Sequence, residues 1–257
     1  MSFFQYLPLI HLMARMKLKS KANTLVLSYI WWILEPLLFV LMFYFVFKFL
    51  LHRGREDFLI FLIIGKIPFL WFSKSVTSAA NSLIENRGLI NQRAIPKFVF
   101  PMVNINEVAY QQFVTFGVLL LFVVLSGYSH FGLWWQIVPL IVLQYLLICG
   151  VSSCFALFVT YLPDFRLILQ MFMMGLMFCS GIFWSIGDIA DPQLQKAILL
   201  FNPLAVIIDG YRQVLMHGQI LHWLAFMPAL LISVILNVIG FGALKKFDGV
   251  LTRRVFM

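Results

Sequence analysis

Six stretches of the chain are apolar over the roughly 20 residues needed to cross a bilayer. They lie near residues 28–50, 58–80, 107–127, 137–160, 165–183 and 224–244. Ahead of the first, Phe3, Phe4, Leu7, Ile10, Met13 and Met16 recur at spacings of one, three and four and run into a basic tail. That pattern predicts a helix within residues 1–27 lying along the membrane surface, apolar side in lipid.

Two connections are too apolar to be free loops. Between spans two and three, residues 81–106 carry Pro96 and Pro101 on either side of Lys97, Phe98, Val99 and Phe100. Pro96 breaks any helix arriving from the amino-terminal side, and the segment is expected to pack on something. Between spans five and six, residues 184–223 open with Asp191-Pro192, a capping carboxylate followed by proline at the first helical position. One helix is expected through Leu200, a break at Asn202-Pro203, and a second helix from Leu204 to Met216, stopped by Gly218. Each reaches only about 15–20 Å, short of the roughly 30 Å hydrocarbon core. The fold expected is therefore an all-α integral membrane protein, one domain over 1–257. It has six transmembrane helices, an amino-terminal amphipathic interfacial helix, and short re-entrant helices between spans five and six.

Composition agrees. Hydrophobic residues make up 62% of the chain and charged ones 11%, against about 25% charged in a soluble domain. The mean hydropathy is +0.96. The net charge of +9 does not point to nucleic acid, because the basic residues sit between apolar runs. The termini and even-numbered connections hold twelve lysines and arginines, the odd-numbered connections four (Arg53, Arg55, Lys196 and Arg212), and Lys48, Lys66 and Lys74 fall within spans. The bias places both termini in the cytoplasm. Cys149, Cys154 and Cys179 lie inside apolar runs as small packing residues, and the start of the chain lacks the features of a cleavable signal peptide.

Candidate chemistry is sparse. No phosphate-binding G-x-x-x-x-G-K-[ST] loop is present, so this chain does not bind ATP by a P-loop. His217 and His222 lack a third ligand, which argues against a metal. Ser180-Gly181 lacks the glycine an intramembrane serine protease would need at Phe178. Gly240-Phe241-Gly242 reads as a packing site, as do Ser75, Ala79 and Ser82, which follow Lys66 and Pro68 at spacings of four and three. Glu35 is an expensive residue within a span, either an ion-paired group of the bundle or a substrate contact. Pro36 frees the carbonyl of Trp32 for another donor. Lys66 and Pro68 interrupt the second span, aromatics crowd the first, and Met171, Met173, Met174 and Met177 line the fifth.

Three segments resemble one family. Trp31-Trp32-Ile33-Leu34-Glu35-Pro36-Leu37-Leu38 is similar to the first-span signature of permease subunits of ABC exporters for O-antigen, capsular polysaccharide and teichoic acid. Asn86-Arg87-Gly88-Leu89-Ile90 through Phe100-Pro101 resembles the cytoplasmic loop of that family, and Phe201-Asn202-Pro203-Leu204 through Asp209-Gly210-Tyr211-Arg212 its outer segment. The chain departs at Asn91-Gln92-Arg93-Ala94-Ile95-Pro96, where the family has a basic-aromatic-proline stretch, so Arg93 and Lys97 are both candidates for the basic role.

The resemblance implies a multi-pass protein of a bacterial inner membrane. It implies a homodimer with two ATPase subunits that hold the ATP and Mg, no cofactor or covalent chemistry in this chain, and a polysaccharide linked to undecaprenyl pyrophosphate as cargo. The coupling residues would be Asn86, Arg87, Gly88, Leu89, Ile90, Arg93, Lys97 and Phe98. A path at the dimer seam would be lined by Tyr29, Trp32, Glu35, Phe39, Phe43, Met174 and Phe178. Arg15, Lys17 and Lys19 would attract the pyrophosphate. The rivals are a capsular or teichoic-acid-type cargo, a drug or other lipid cargo on the same architecture, an enzyme of lipid-linked sugars, and a scaffold subunit.

Overall fold

The computed structural model describes residues 3–24, 28–50, 57–93 and 95–254, and all regular structure among them is helical. The α-helices are α1 (Leu7–Thr24), α2 (Ser28–Tyr44, continued by a π-helical turn Phe45–Leu50), α3 (Phe58–Ala80), α4 (Ser82–Glu85), α5 (Arg87–Gln92) and α6 (Val99–Leu125). They are followed by α7 (Ile137–Tyr161), α8 (Phe165–Cys179), α9 (Pro192–Phe201), α10 (Pro203–Leu215), α11 (Met227–Lys246) and α12 (Asp248–Arg254).

Four helices among the described residues are long and apolar enough to cross a membrane: α3, α6, α7 with the 3-10 turn before it, and α11 with its own. The apolar helices α2 and α8 are shorter. The second span has the expected bounds, but the third begins eight residues earlier than its apolar run. Pro101 falls in the first turn of α6, where a missing N–H breaks no intrahelical bond. The fifth is shorter than expected. Its helix stops at Cys179 because Gly181 takes φ +71, a left-handed conformation that suits glycine.

α3 is the hub. Buried over most of its length, it packs against α2, α6, α7, α8 and α10. Ser75, Ala79 and Ser82 are fully buried, and small side chains at that spacing let neighbouring helices approach closely. The other tight pair is α7 with α11, and glycine makes it possible. A Cβ at Gly150 would stand 2.8 Å from Leu236 Cβ, and one at Gly240 2.7 Å from Ser153 Cβ. Across that seam the Asn237 amide donates to the Leu146 carbonyl at 2.7 Å.

α9 and α10 meet at 103°. The break has a local cause. Asn202 ends α9 and accepts from the Ala205 N–H as the cap of α10, whose first residue is Pro203. Asp191 caps α9 in the same way through the Gln193 N–H. α10 buries Leu204, Ile207, Ile208, Tyr211 and Leu215 against α3 and α7, whereas α9 buries none of its residues.

Candidate functional site

One end of the bundle gathers α1, the short α4–α5 hairpin and α12, which brings the amino-terminal helix, the 81–98 connection and the carboxy-terminal helix to one face. α1 buries Ile10 and Ala14, one turn apart, and packs against α6. Its basic residues finish the contact. Lys21 meets the fully buried carboxylate of Glu107 at 2.6 Å. Lys17 lies between Asn104 Oδ1 at 2.8 Å, Glu85 at 3.1 Å and Glu107 at 3.8 Å. Tyr110 also hydrogen-bonds to His11. Leu12 and Met16 stay uncovered on the opposite side of α1, and Leu7 is exposed at its start. Of the three residues expected at a pyrophosphate, Arg15 and Lys19 are exposed, while Lys17 is taken up by the bundle.

α5 is held by a single side chain. Ile90 sinks into an apolar cluster with Leu83, Phe100, Leu244 and Leu251, and Arg87, Gly88, Leu89 and Arg93 remain outside. Asn86 donates to the Ser82 carbonyl at 2.7 Å, linking α4 to α5. The two candidates for the basic role separate here: Arg93 is exposed, and Lys97 is buried. The Lys97 ammonium donates to the Ile95 carbonyl at 3.2 Å and faces Asp248 at 3.7 Å. Phe98 is half-buried and meets Tyr6 and Phe241 edge-on. Lys97 and Phe98 therefore fasten the loop rather than stand on its surface.

The residues expected to line a path divide similarly. Glu35 of α2 forms an ion pair with Lys74 of α3, within the bundle. The Trp32 carbonyl freed by Pro36 accepts from Thr115 Oγ1 of α6 at 3.4 Å. Phe39, Phe43 and Phe178 belong to one aromatic run. Phe39 lies 4.4 Å from Phe43, Phe43 lies 4.7 Å from Phe183, and Phe183 lies 5.4 Å from Phe178, joining α2 to the end of α8. Met174 is largely uncovered on α8. The side chain of Tyr29 lies outside the described residues.

Three contributors were given no role at the site from the sequence. Phe183 closes the aromatic run. Lys66, 4% exposed, lays its ammonium 3.4 Å from the Phe39 ring centre and 3.3 Å from the Met177 sulfur, tying α2, α3 and α8 together. Arg212, counted among the charges of the outer connection, is 2% exposed. Its guanidinium donates to the carbonyls of Gly181 at 2.5 Å, Ile182 at 3.0 Å and Phe61 at 3.3 Å, and covers the Phe61 ring at 3.5 Å. Asn202 adds a bond to the Cys179 carbonyl. The Ser180-Gly181 turn is thus a fastened helix end. Nearby, Tyr211 donates to Gln144, which donates to the Pro68 carbonyl at 2.7 Å, so that α10, α7 and α3 share one buried relay. Arg212 carried no signal of burial in the sequence, because a basic residue in a connection reads as solvated.

Comparison with known proteins gives this arrangement a context. The family model described as ABC-2 type transporter matches residues 9–216. The O-antigen export system permease protein RfbA of Klebsiella pneumoniae is 28% identical over 230 residues, 89% of this chain and 88% of that protein. The polysialic acid transport protein KpsM of Escherichia coli is 27% identical over 210 residues, 79% and 80% of the two chains. A second O-antigen export permease, RfbA of Myxococcus xanthus, is 22% identical over 245 residues, 91% and 90%.

Proposed function

The chain belongs to the ABC-2 type transporter family, and on that premise we propose that it is the membrane-spanning subunit of an ABC exporter for a lipid-linked polysaccharide. The cargo is an O-antigen polymer on undecaprenyl pyrophosphate, moved across the bacterial inner membrane. Two copies form the permease, and two separate subunits hydrolyse the ATP. Six segments cross the bilayer, α2 and α8 included, with both termini in the cytoplasm and α9–α10 as a re-entrant pair. α1 lies in the inner surface of the membrane, with Leu12 and Met16 in lipid and Arg15 and Lys19 toward anionic headgroups.

The observation that carries the reading is α5. A six-residue helix pinned by Ile90 and presenting Arg87, Gly88, Leu89 and Arg93, beside both terminal helices, is suited to receive a push from a cytoplasmic ATPase. The push then has a packed route. Ile90 bears on Phe100 of α6, α6 packs against α2 and α3, and α3 packs against α8. Displacing α2 relative to α8 opens the aromatic run Phe39–Phe43–Phe183–Phe178, a set of flat apolar faces on which sugar rings slide without strong binding. Glu35, one helical turn from Phe39, and Lys74 neutralise each other.

Export of a capsular polymer is the second reading, favoured by the similarity to the polysialic acid transport protein. Deleting the gene and analysing lipid extracts tests both. O-antigen export requires that polymer vanish from the surface lipopolysaccharide and accumulate in the cell on undecaprenyl pyrophosphate. Loss of capsule with intact O-antigen selects the second reading, and no change in either surface glycan refutes both.

A further inference from the structure

The carboxy-terminal helix α12 shares the ledge that carries α5. Phe247 alone separates it from α11, and α12 packs against α7. Two contacts hold it there. Leu251 is fully buried in the cluster that also receives Ile90, Phe100 and Leu244. The Asp248 carboxylate accepts from the backbone N–H of Lys97 at 2.8 Å and faces the Lys97 ammonium at 3.7 Å. Phe247 also meets the Tyr161 ring of α7 edge-on at 6.5 Å. α5, the 95–98 strap and α12 are therefore braced on one foundation, and a displacement of one displaces the others.

What α12 leaves uncovered has a definite chemistry. Phe247 and Val250 are exposed apolar groups, and Lys245, Lys246 and Arg254 surround them as exposed cations. α5 repeats the pattern, with Leu89 between Arg87 and Arg93. Two adjacent apolar knobs, each flanked by positive charge, fit a partner with apolar hollows rimmed by carboxylates. We propose that α12 and α5 form a single composite docking face for the ATPase subunit, and that the Asp248–Lys97 clasp keeps the two halves in register. This rests on the exporter reading above, which places an ATPase at α5. It adds a second point of grip and a route by which the ATPase also loads α11, and through α11 its partner α7.

The test uses the full exporter, co-expressed with its ATPase subunit in native membranes. Photoreactive benzoylphenylalanine is placed singly at Leu89, at Val250 and, as a lipid-facing control, at Leu121. Cross-linking of both Leu89 and Val250 sites to the ATPase, with none from Leu121, is the expected result. Cross-linking from Leu89 alone overturns the composite face and leaves the exporter reading standing. Cross-links from Val250 to lipid only make α12 a membrane anchor, which also overturns it. No ATPase cross-link from either site removes the exporter reading as well. Asp248→Asn supplies a functional readout: about a fivefold fall in polymer export per membrane-inserted exporter is expected, with the Leu89 cross-link retained. Unchanged export overturns the role of the clasp.

Discussion

The ammonium of Lys66 on α3 stands 3.4 Å from the centre of the Phe39 ring on α2, within the apolar interior of the bundle. The negative face of the ring and the Met177 thioether take the place of water around that charge. Both residues touch the route between α2 and α8, so the contact is structural first and functional through α2.

A double-mutant cycle isolates the pair. Lys66→Met removes a buried charge while filling its volume, and should be neutral to stabilising. Phe39→Leu alone strips the ammonium of its nearest ring and should cost about 2 kcal/mol. In the Lys66→Met background the same change should cost much less, a coupling of about 1–2 kcal/mol. Thermal unfolding in detergent measures it. Equal costs in both backgrounds would show that the ring merely fills space.

The α7–α11 seam offers a matched pair of glycines. A Cβ at Gly240 would press on Ser153 Cβ at 2.7 Å, whereas one at Gly242 meets nothing within 4 Å. Gly240→Ala should therefore destabilise by about 1–3 kcal/mol through overpacking. Gly242→Ala should be neutral or stabilise by up to about 1 kcal/mol through helix propensity. The ranking of the two midpoints on heating decides the matter, and a reversed ranking contradicts the packing.

The all-helical class and four of the six expected spans were legible because lipid imposes a simple demand. An uninterrupted apolar run bounded by polar residues has few ways to be anything but a crossing helix, and α3 has the bounds its sequence predicts. The breaks in α9–α10 were legible too, since Asp191-Pro192 and Asn202-Pro203 are local signals. Misjudged boundaries came from tertiary causes. Ile182, Phe183 and Trp184 look like a continuing span, but Gly181 turns the chain and Arg212, some 30 residues away, holds that turn by its carbonyls. Pairing was illegible for a related reason. Glu35 and Lys74 could each be recognised as costly, but nothing in the sequence says how two helices are rotated toward each other. The same holds for the Lys97–Asp248 clasp, whose members are 151 positions apart.

Glu107 is the pivot of the α1 attachment, and its loss should be visible without a functional assay. The carboxylate is fully buried and is held by Lys21 from outside. Glu107→Gln removes the charge that two lysines face. We expect α1 to lift from α6 and trypsin to cut at Lys17, Lys19 and Lys21 about tenfold faster, equivalent to about 1.4 kcal/mol of local opening. Lys21→Met, which removes the more exposed partner, should do less. Unchanged cleavage in Glu107→Gln would mean that Ile10 and Ala14 suffice to hold the helix.

Arg212 is expected to tolerate no substitute, not even lysine. Its fork serves three carbonyls at once, and a lysine ammonium cannot reach Gly181, Ile182 and Phe61 in the same geometry. Arg212→Lys leaves at least one of these acceptors without its charged donor, at a cost of about 1.5–3 kcal/mol. The end of α8 should loosen with it, carrying Phe178 and Phe183 out of line. The midpoint on heating and polymer export should fall together. A variant with wild-type stability and export would detach the clamp from the path.

Leu89 and Ile90 are neighbours in sequence with opposite environments, which allows the coupling proposal to be tested apart from folding. Leu89 is uncovered and Ile90 is 4% exposed. Leu89→Asp should alter stability by no more than about 0.5 kcal/mol, as at other surface positions. Ile90→Asp places a carboxylate in the cluster with Phe100, Leu244 and Leu251, and should cost about 3 kcal/mol or more. If α5 receives the ATPase, Leu89→Asp must abolish polymer export and the stimulation of ATP hydrolysis in a protein that still melts like the parent. Loss of function confined to Ile90→Asp would instead trace every effect of this segment to folding, and α5 would drop out of the coupling route.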